Sequence, residues 1–363
     1  MKITRSTCCS LKFATAAKRQ QLRVILKEYG RTVNVFIEHF WALKALPTKS
    51  QLLKPIVDIP KTWLSARLRK VAAREAISMI VGTRKRWGEK AKIPTHKGRS
   101  MYVSSTIADL QDAKDATKFN AWLMLRSIGN KIALDLPIKF HKHFNGLCGR
   151  GKRLNSYIIS ENGVQFAFEI DTGPKRVDGG GIGLDTGINA LASMSTGQQY
   201  GLDTKKHVER IKRCKHGSKG QKRARRALRQ RMDEVAKEIM ETPDLRLVVV
   251  EKLRNLNHKT KVKRRLTKNM RRSLGAWAYR YWLERVQSRC EDNRVVFRSV
   301  PARYTSQRCS VCGHTERANR SGEVFLCRKC GYACNADINA AKNIFGYFAS
   351  GPYGAGFKAL VVA

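Results

Sequence analysis

The chain has 363 residues, 42% of them hydrophobic, and its 72 Lys and Arg against 28 Asp and Glu leave a net charge of +44. That length holds two or three domains with real cores, and so one-sided a charge demands a polyanionic partner, nucleic acid before any other. No apolar run approaches the roughly 20 residues of a spanning helix, and the N-terminus lacks a signal-peptide core, so a cytoplasmic protein is expected, nucleoid-associated if bacterial.

Residues 3–11 read as a short strand. Leu22, Ile25, Leu26, Tyr29, Val33, Phe36, Ile37 and Phe40 then recur at helical spacing, which predicts a long amphipathic helix. Pro47, Pro55 and Pro60 punctuate a connector, and a second helix is expected over residues 63–80, with a basic stretch at 84–97 closing the helical block. From Tyr102 the texture turns to β-rich runs at 119–128, 131–137, 156–160 and 164–170, separated by Gly, Asn and Asp turns. Those strands suggest a small barrel that the first strand completes, with the helices inserted into it.

A new domain is expected after the glycines at 179–181. Residues 181–194 read as strand, turn and strand, and residues 245–251 as a buried strand. Between them, residues 205–231 carry thirteen Lys and Arg against the single acid Glu209. A charge run is usually a solvated face, but this ratio offers few internal partners, so phosphate contact is expected from Lys205, Lys206, Arg210, Lys212, Arg213, Arg223, Arg225, Arg226 and Arg229. A second basic loop, with Lys263, Arg264 and Arg265, is read the same way. Leu274, Trp277, Ala278, Tyr281, Trp282 and Val286 then mark one core-facing helix, followed by a strand at 295–300.

Cys309-x2-Cys312 and Cys327-x2-Cys330, with fourteen residues between the pairs, have the spacing of a closed tetrathiolate site. One structural Zn²⁺ is expected there, with Cys334 as an alternative ligand. The other cysteines, Cys8, Cys9, Cys148, Cys214 and Cys290 with Cys334, show no regular spacing and are read as small buried apolar residues of a reduced protein. Three acids stand out by context: Asp185 and Glu251 each end an apolar strand, and Asp337 enters an apolar helix-forming run. A carboxylate in such surroundings must be paired, protonated or bound to a cation. Three together suit two Mg²⁺ ions about 4 Å apart, the arrangement for in-line hydrolysis of a phosphodiester. With the basic charge, this points to a nuclease.

Gly183-Leu184-Asp185-Thr186-Gly187, Val250-Glu251-Lys252-Leu253, Thr305-Ser306-Gln307-x-Cys309-Ser310-x-Cys312-Gly313 and Asp337-x-Asn339-Ala340-Ala341-x-Asn343-Ile344 resemble the signature blocks of the TnpB family. These are transposon-encoded RNA-guided nucleases, held to be ancestral to the compact type V CRISPR effectors. The likeness spans roughly residues 180–346. It implies an α+β multidomain protein: a wedge of oligonucleotide-binding-like β-barrel at 1–11 and 98–175, a helical recognition lobe at 12–97, an RNase H-like (RuvC) α/β nuclease domain at 176–301 and 335–363, and a zinc-ribbon insert at 302–334. It implies Asp185, Glu251 and Asp337 as the catalytic, Mg²⁺-binding triad, and Cys309, Cys312, Cys327 and Cys330 as the zinc ligands. The implied partners are a guide RNA and double-stranded target DNA beside a short flanking motif; the sequence leaves open whether one copy of the chain or two act per RNA, one copy being the expectation.

One departure is Asn335, where many relatives carry an additional Asp. A compact type V effector, a guided DNA-binding or transposition accessory with an idle nuclease site, and a transposase using three acids on a related fold are the alternatives. The three retained acids weigh against the second and the inserted knuckle against the third.

Overall fold

A computed structural model of the chain describes residues 1–114, 118–127, 132–252, 266–301, 303–352, 354 and 356–360. It contains two compact units, one of residues 2–171 and one of residues 172–363 with Met1.

The first unit begins with strand β1 (Lys2–Ser10), followed by helices α1 (Ala16–Trp41), α2 (Lys54–Val57) and α3 (Ala66–Trp87). Strands β2 (Ser100–Ser104), β3 (Ala108–Asp112), β4 (Ala121–Arg126) and β5 (Ala133–Ile138) come next, then helix α4 (Lys142–Cys148) and strands β6 (Lys152–Ser160) and β7 (Gly163–Asp171). The strands form two antiparallel sheets, ordered β1-β7-β6-β2 and β3-β4-β5. The first strand therefore pairs with the last, along its whole length from Lys2↔Asp171 to Ser10↔Gly163. All eight apolar positions expected on the first helix are buried, because residues three and four apart share one helix face. Helix α4 is a finding of the structure; seven residues with Gly146 inside give too short a period to read.

The second unit is built on a mixed sheet ordered β10-β9-β8-β11-β12. Its strands are β8 (Gly180–Asp185), β9 (Ala192–Met194), β10 (Gln199–Tyr200), β11 (Leu245–Glu251) and β12 (Val296–Val300). β8, β11 and the edge strand β12 run parallel, with Val250 beside Leu184 and Glu251 beside Val300, while β9 pairs antiparallel with β8. Helices α5 (Thr204–Arg213), α6 (Lys219–Met240), α7 (Lys268–Ala276) and α8 (Tyr279–Asp292) accompany it. A small sheet of β13 (Arg320–Ser321), β14 (Val324–Leu326) and β15 (Ala333–Asn335) leads into the last helix, α9 (Ala336–Ala349).

Two expectations are corrected here. The single helix expected through Leu274 and Val286 is two: α7 ends at Ala276 and α8 starts at Tyr279, with extended backbone at Trp277. Trp277, Trp282 and Val286 are nonetheless buried in one core, so an apolar stripe was legible and its interruption was not. Of the six cysteines expected to be buried, only Cys9 and Cys290 are; Cys8 and Cys148 are exposed and Cys214 and Cys334 half-buried.

Alternation along the parallel strands sorts the core. Ile182, Leu184, Val248 and Val250 face the layer formed by α6 and α8, while Leu247 and Val249 face α9 with Ile344, Phe345 and Phe348. Asp185 and Glu251, one step beyond Leu184 and Val250, fall on the α9 side at the carboxyl ends of their strands.

Candidate active site

Strands β8 and β11 end together, so Asp185 and Glu251 are set side by side by parallel register. The third acid arrives on α9. Gly181 and Gly183 share the face of Asp185, and they let the helix lie directly on β8: a Cβ on Gly181 would meet the Phe345 ring at 2.6 Å, and one on Gly183 would meet the Ala341 carbonyl oxygen at 2.0 Å. Asp337 is one helical turn before Ala341 on the same face, which brings it to the two strand ends. Asn335 caps the helix, its Oδ1 accepting from the Asp337 N–H at 2.9 Å and the Ile338 N–H at 3.2 Å. The departure noted in the sequence thus supplies a neutral residue of strong N-cap preference.

Burial, and then the negative charges of Glu251 and Asp337, push the Asp185 carboxyl up to about 7. Burial also raises Glu251, against a hydrogen bond from Thr305 and the charge of Arg320. Asp185 thus sits in a water-poor corner within the field of both other acids, although among the described residues only the cysteines bring three or more ligand atoms within 4.8 Å of one another. Arg320, on the small sheet, places Nη2 2.7 Å from Asp337 Oδ1. The Thr305 hydroxyl donates to Glu251 Oε1, and the Tyr279 hydroxyl donates to the Glu251 carbonyl oxygen at 3.0 Å.

The four cysteines of the two Cys-x2-Cys turns come together, with their Sγ atoms all within 4.8 Å of one another. Cys309 lies 3.8 Å from Cys330 and Cys312 lies 3.6 Å from Cys327, Sγ to Sγ. A tetrahedron of metal–sulfur bonds of about 2.3 Å has edges of about 3.8 Å, so this donor set can hold a metal ion. Although burial opposes ionisation, the N–H groups of Cys330 and Lys329 and the adjoining thiols draw Cys327 down to about 6. Cys334 is not in the cluster; its thiol faces the Asn335 carbonyl oxygen at 3.4 Å.

Lys205, Lys206, Arg210 and Arg213 are exposed on α5, and Arg223, Arg226 and Arg229 on α6, with Arg225 half-buried. Both helices bury the opposite face through Val208 and Ile211, and through Ala224, Leu228 and Met232. Lys212 differs from expectation: its ammonium is 2.6 Å from Glu209 and its side chain is 8% exposed. Arg231 is likewise held by Asp203, Glu234 and Glu238, so the run is less free of internal partners than its composition implies. Lys263, Arg264 and Arg265 lie outside the described residues.

Sequence reasoning missed Arg320, Thr305, Asn339 and Asn343 as site residues. One arginine among 72 Lys and Arg carries no signal. The other three sat inside the signature blocks with no evident task, and their task is set by contacts between distant segments. Among the described residues no helix is long and apolar enough to cross a membrane.

The sequence model of the Cas12f1-like TNB domain matches residues 279–344, from the start of α8 through Ile344 on α9. A TnpB-like protein of Aquifex aeolicus (strain VF5) is 36% identical over 115 residues, 31% of this chain and 36% of that protein. The "Putative RNA-guided DNA endonuclease InsQ" of Escherichia coli (strain K12) is 53% identical over 47 residues, 13% of this chain and 12% of that protein. The matched stretches cover between 12% and 36% of the length of the first curated relatives. Among solved structures, that of the mini-RNA-guided endonuclease CRISPR-Cas_phi3 has the same fold, with a TM-score of 0.52 at 11% identity over 100% of this chain and 94% of that one. The likeness to TnpB proteins read from the sequence is borne out by these matches.

Proposed function

We propose that the chain is an RNA-guided DNA endonuclease of a transposon, cutting target DNA beside a short flanking motif by metal-dependent phosphodiester hydrolysis. The observation that carries this reading is the convergence of Asp185, Glu251 and Asp337, from three separate elements, at the carboxyl ends of two parallel strands. Open α/β sheets bind their ligands at that edge. The RNase H-like (RuvC) assignment rests on the same arrangement, with the small sheet and its cysteines as a zinc ribbon inserted between β12 and α9.

In this reading the three carboxylates hold two Mg²⁺ ions, which supply an activated water and neutralise charge on the phosphate. The chain's own residues do the rest. Asp185 and Glu251 stand on strand ends and Asp337 on a capped helix start, so the residues that would bind a cation are carried by fixed elements. Arg320, bound to Asp337 at 2.7 Å, keeps a cationic donor beside the acids, where a phosphate oxygen has a partner. Cys309, Cys312, Cys327 and Cys330 would hold one structural Zn²⁺; four thiolates leave no place for a reacting water. The exposed basic faces of α5 and α6 take phosphates of guide RNA and target DNA, and sequence is read by pairing rather than by side chains.

The match to the Cas12f1-like domain supports equally a compact type V effector with the same site, its guide drawn from a CRISPR array. Sequencing the RNA that copurifies separates the two. The function itself is tested by programmed cleavage of a plasmid with wild-type protein and Asp185→Ala: Mg²⁺-dependent cutting that survives the substitution overturns it.

A further inference from the structure

Residues 305–310 approach the first cysteine turn without belonging to a strand or helix, so their backbone groups need other partners. Turn contacts and Asn319 satisfy some of them, and two buried asparagines on α9 take the Thr305 and Arg308 carbonyls and the Ser310 N–H. Asn339 and Asn343 are four apart and therefore on one helix face; they are 0% and 5% exposed. Asn343 Nδ2 donates to the carbonyl oxygens of Thr305 at 2.9 Å and Arg308 at 2.6 Å. Asn339 Nδ2 donates to the Arg308 oxygen at 2.7 Å, and its Oδ1 accepts from the Ser310 N–H at 3.0 Å. Cys309 is thus gripped on both sides by the helix that carries Asp337. The segment enters through Tyr304 at φ 61°, a conformation a bulky residue holds only under constraint. It delivers Thr305, 3% exposed, with its hydroxyl on Glu251.

We propose that Thr305 is a positioning residue for Glu251, held in place by Asn339 and Asn343, so that one hydrogen-bonded brace sets both the cysteine cluster and the acids. The proposal rests on the reading of Glu251 as a cation ligand. A hydroxyl donating to one carboxylate oxygen fixes the rotamer and leaves the second oxygen for a metal. It also explains two buried amides that apolar residues would otherwise fill at lower desolvation cost.

The test uses the full chain with its RNA and replaces Mg²⁺ by Fe²⁺ with ascorbate and peroxide, so that radicals cut the polypeptide near the bound ion whether or not DNA is cleaved. Thr305→Val should raise the Fe²⁺ concentration for half-maximal polypeptide cutting about 10- to 100-fold. The Mg²⁺ requirement for DNA cleavage should rise in parallel, with zinc content and DNA binding unchanged. Thr305→Ser should restore both midpoints. If Thr305→Val keeps the wild-type midpoint while Glu251→Gln loses it, the brace is overturned and the acid site stands. Equal weakening by Val and Ser also overturns it, since a structural role alone accounts for that. A wild-type midpoint in Glu251→Gln removes instead the reading of Glu251 on which the brace rests.

Discussion

A methyl group on Gly183 would lie 2.0 Å from the carbonyl oxygen of Ala341, closer than any non-bonded contact allows, so α9 and β8 can meet only through glycine at that position. Because Asp337 begins the same helix and Asp185 ends the same strand, this contact sets the distance between two of the three acids.

Gly183→Ala should therefore push α9 off the sheet. The obstacle is backbone on both sides, which cannot swing away as a side chain would, and overpacking of this kind costs about 1–3 kcal/mol. The thermal midpoint should fall by roughly 2–4 °C per kcal/mol, and cleavage should fall further than the loss of folded protein explains. Wild-type activity in a folded Gly183→Ala variant would show that α9 does not set the acid geometry.

The acids themselves should separate cutting from binding. Asp185→Ala or Glu251→Ala removes a ligand from a shared site, and a loss of about 10³-fold or more in cleavage rate is expected, equivalent to about 4 kcal/mol. Target binding, which draws on phosphate contacts and base pairing, should stay within a few-fold of wild type in a mobility-shift titration.

A pH dependence follows from Asp185, whose carboxyl titrates near 7 in the folded chain without metal. The folded state then holds a proton that the unfolded chain releases near 4. Below that range both states are protonated and Asp185 costs nothing. As pH rises from about 4 to 7 the metal-free protein should lose stability, and above 7 the full cost is present. Asp185→Asn should flatten that slope in urea unfolding at pH 5 and pH 8. Protons and cation compete for the same oxygens, so the half-saturating Mg²⁺ concentration should rise about tenfold per unit as pH falls below 7. A Mg²⁺ requirement that ignores pH across this window would count against a protonated Asp185.

The site was legible in the sequence wherever residue type and local period sufficed. Asp185 and Glu251 announced themselves by ending apolar strands, and the four cysteines by their spacing. Gly181 was read with its neighbours as a boundary signal and Gly183 only as part of a signature block, whereas both admit α9; only the packing reveals that. Arg320 reaches Asp337 through a hairpin fold, and Thr305 reaches Glu251 across 54 residues, contacts for which a single sequence offers no period. Asn335 shows the reverse case, since an N-cap signal before α9 was present in its identity and was read only as a departure.

The cysteine cluster should behave as a folding element. Few apolar side chains lie beneath it, its core being Cys309, Phe325, Cys327 and Ala336, so metal binding must supply much of its stability. Purified protein should contain one zinc per chain by elemental analysis. Cys330→Ser should lose it, loosen Arg320 from Asp337, and lower cleavage while the acids remain intact. Full activity in zinc-free Cys330→Ser would detach the knuckle from the site.

The guide is the furthest-reaching prediction. A net charge of +44 exceeds what a short duplex contact neutralises, and the exposed arginines and lysines of α5 and α6 form helix faces with few acids to pair them. An extended folded RNA satisfies such a surface and releases its counterions on binding. The protein should copurify with a discrete RNA, and the complex should weaken steeply with salt. Removing the RNA should abolish sequence-specific cutting, and exchanging its terminal guide segment should move the cut to the matching duplex beside the same flanking motif, because pairing carries the specificity. Reversing Arg223, Arg226 and Arg229 to Glu should weaken RNA retention without touching the Mg²⁺ requirement. If RNA-free protein cuts the same sites, or a new guide leaves the cut where it was, the basic faces serve DNA directly and the enzyme reads its target by protein contacts alone.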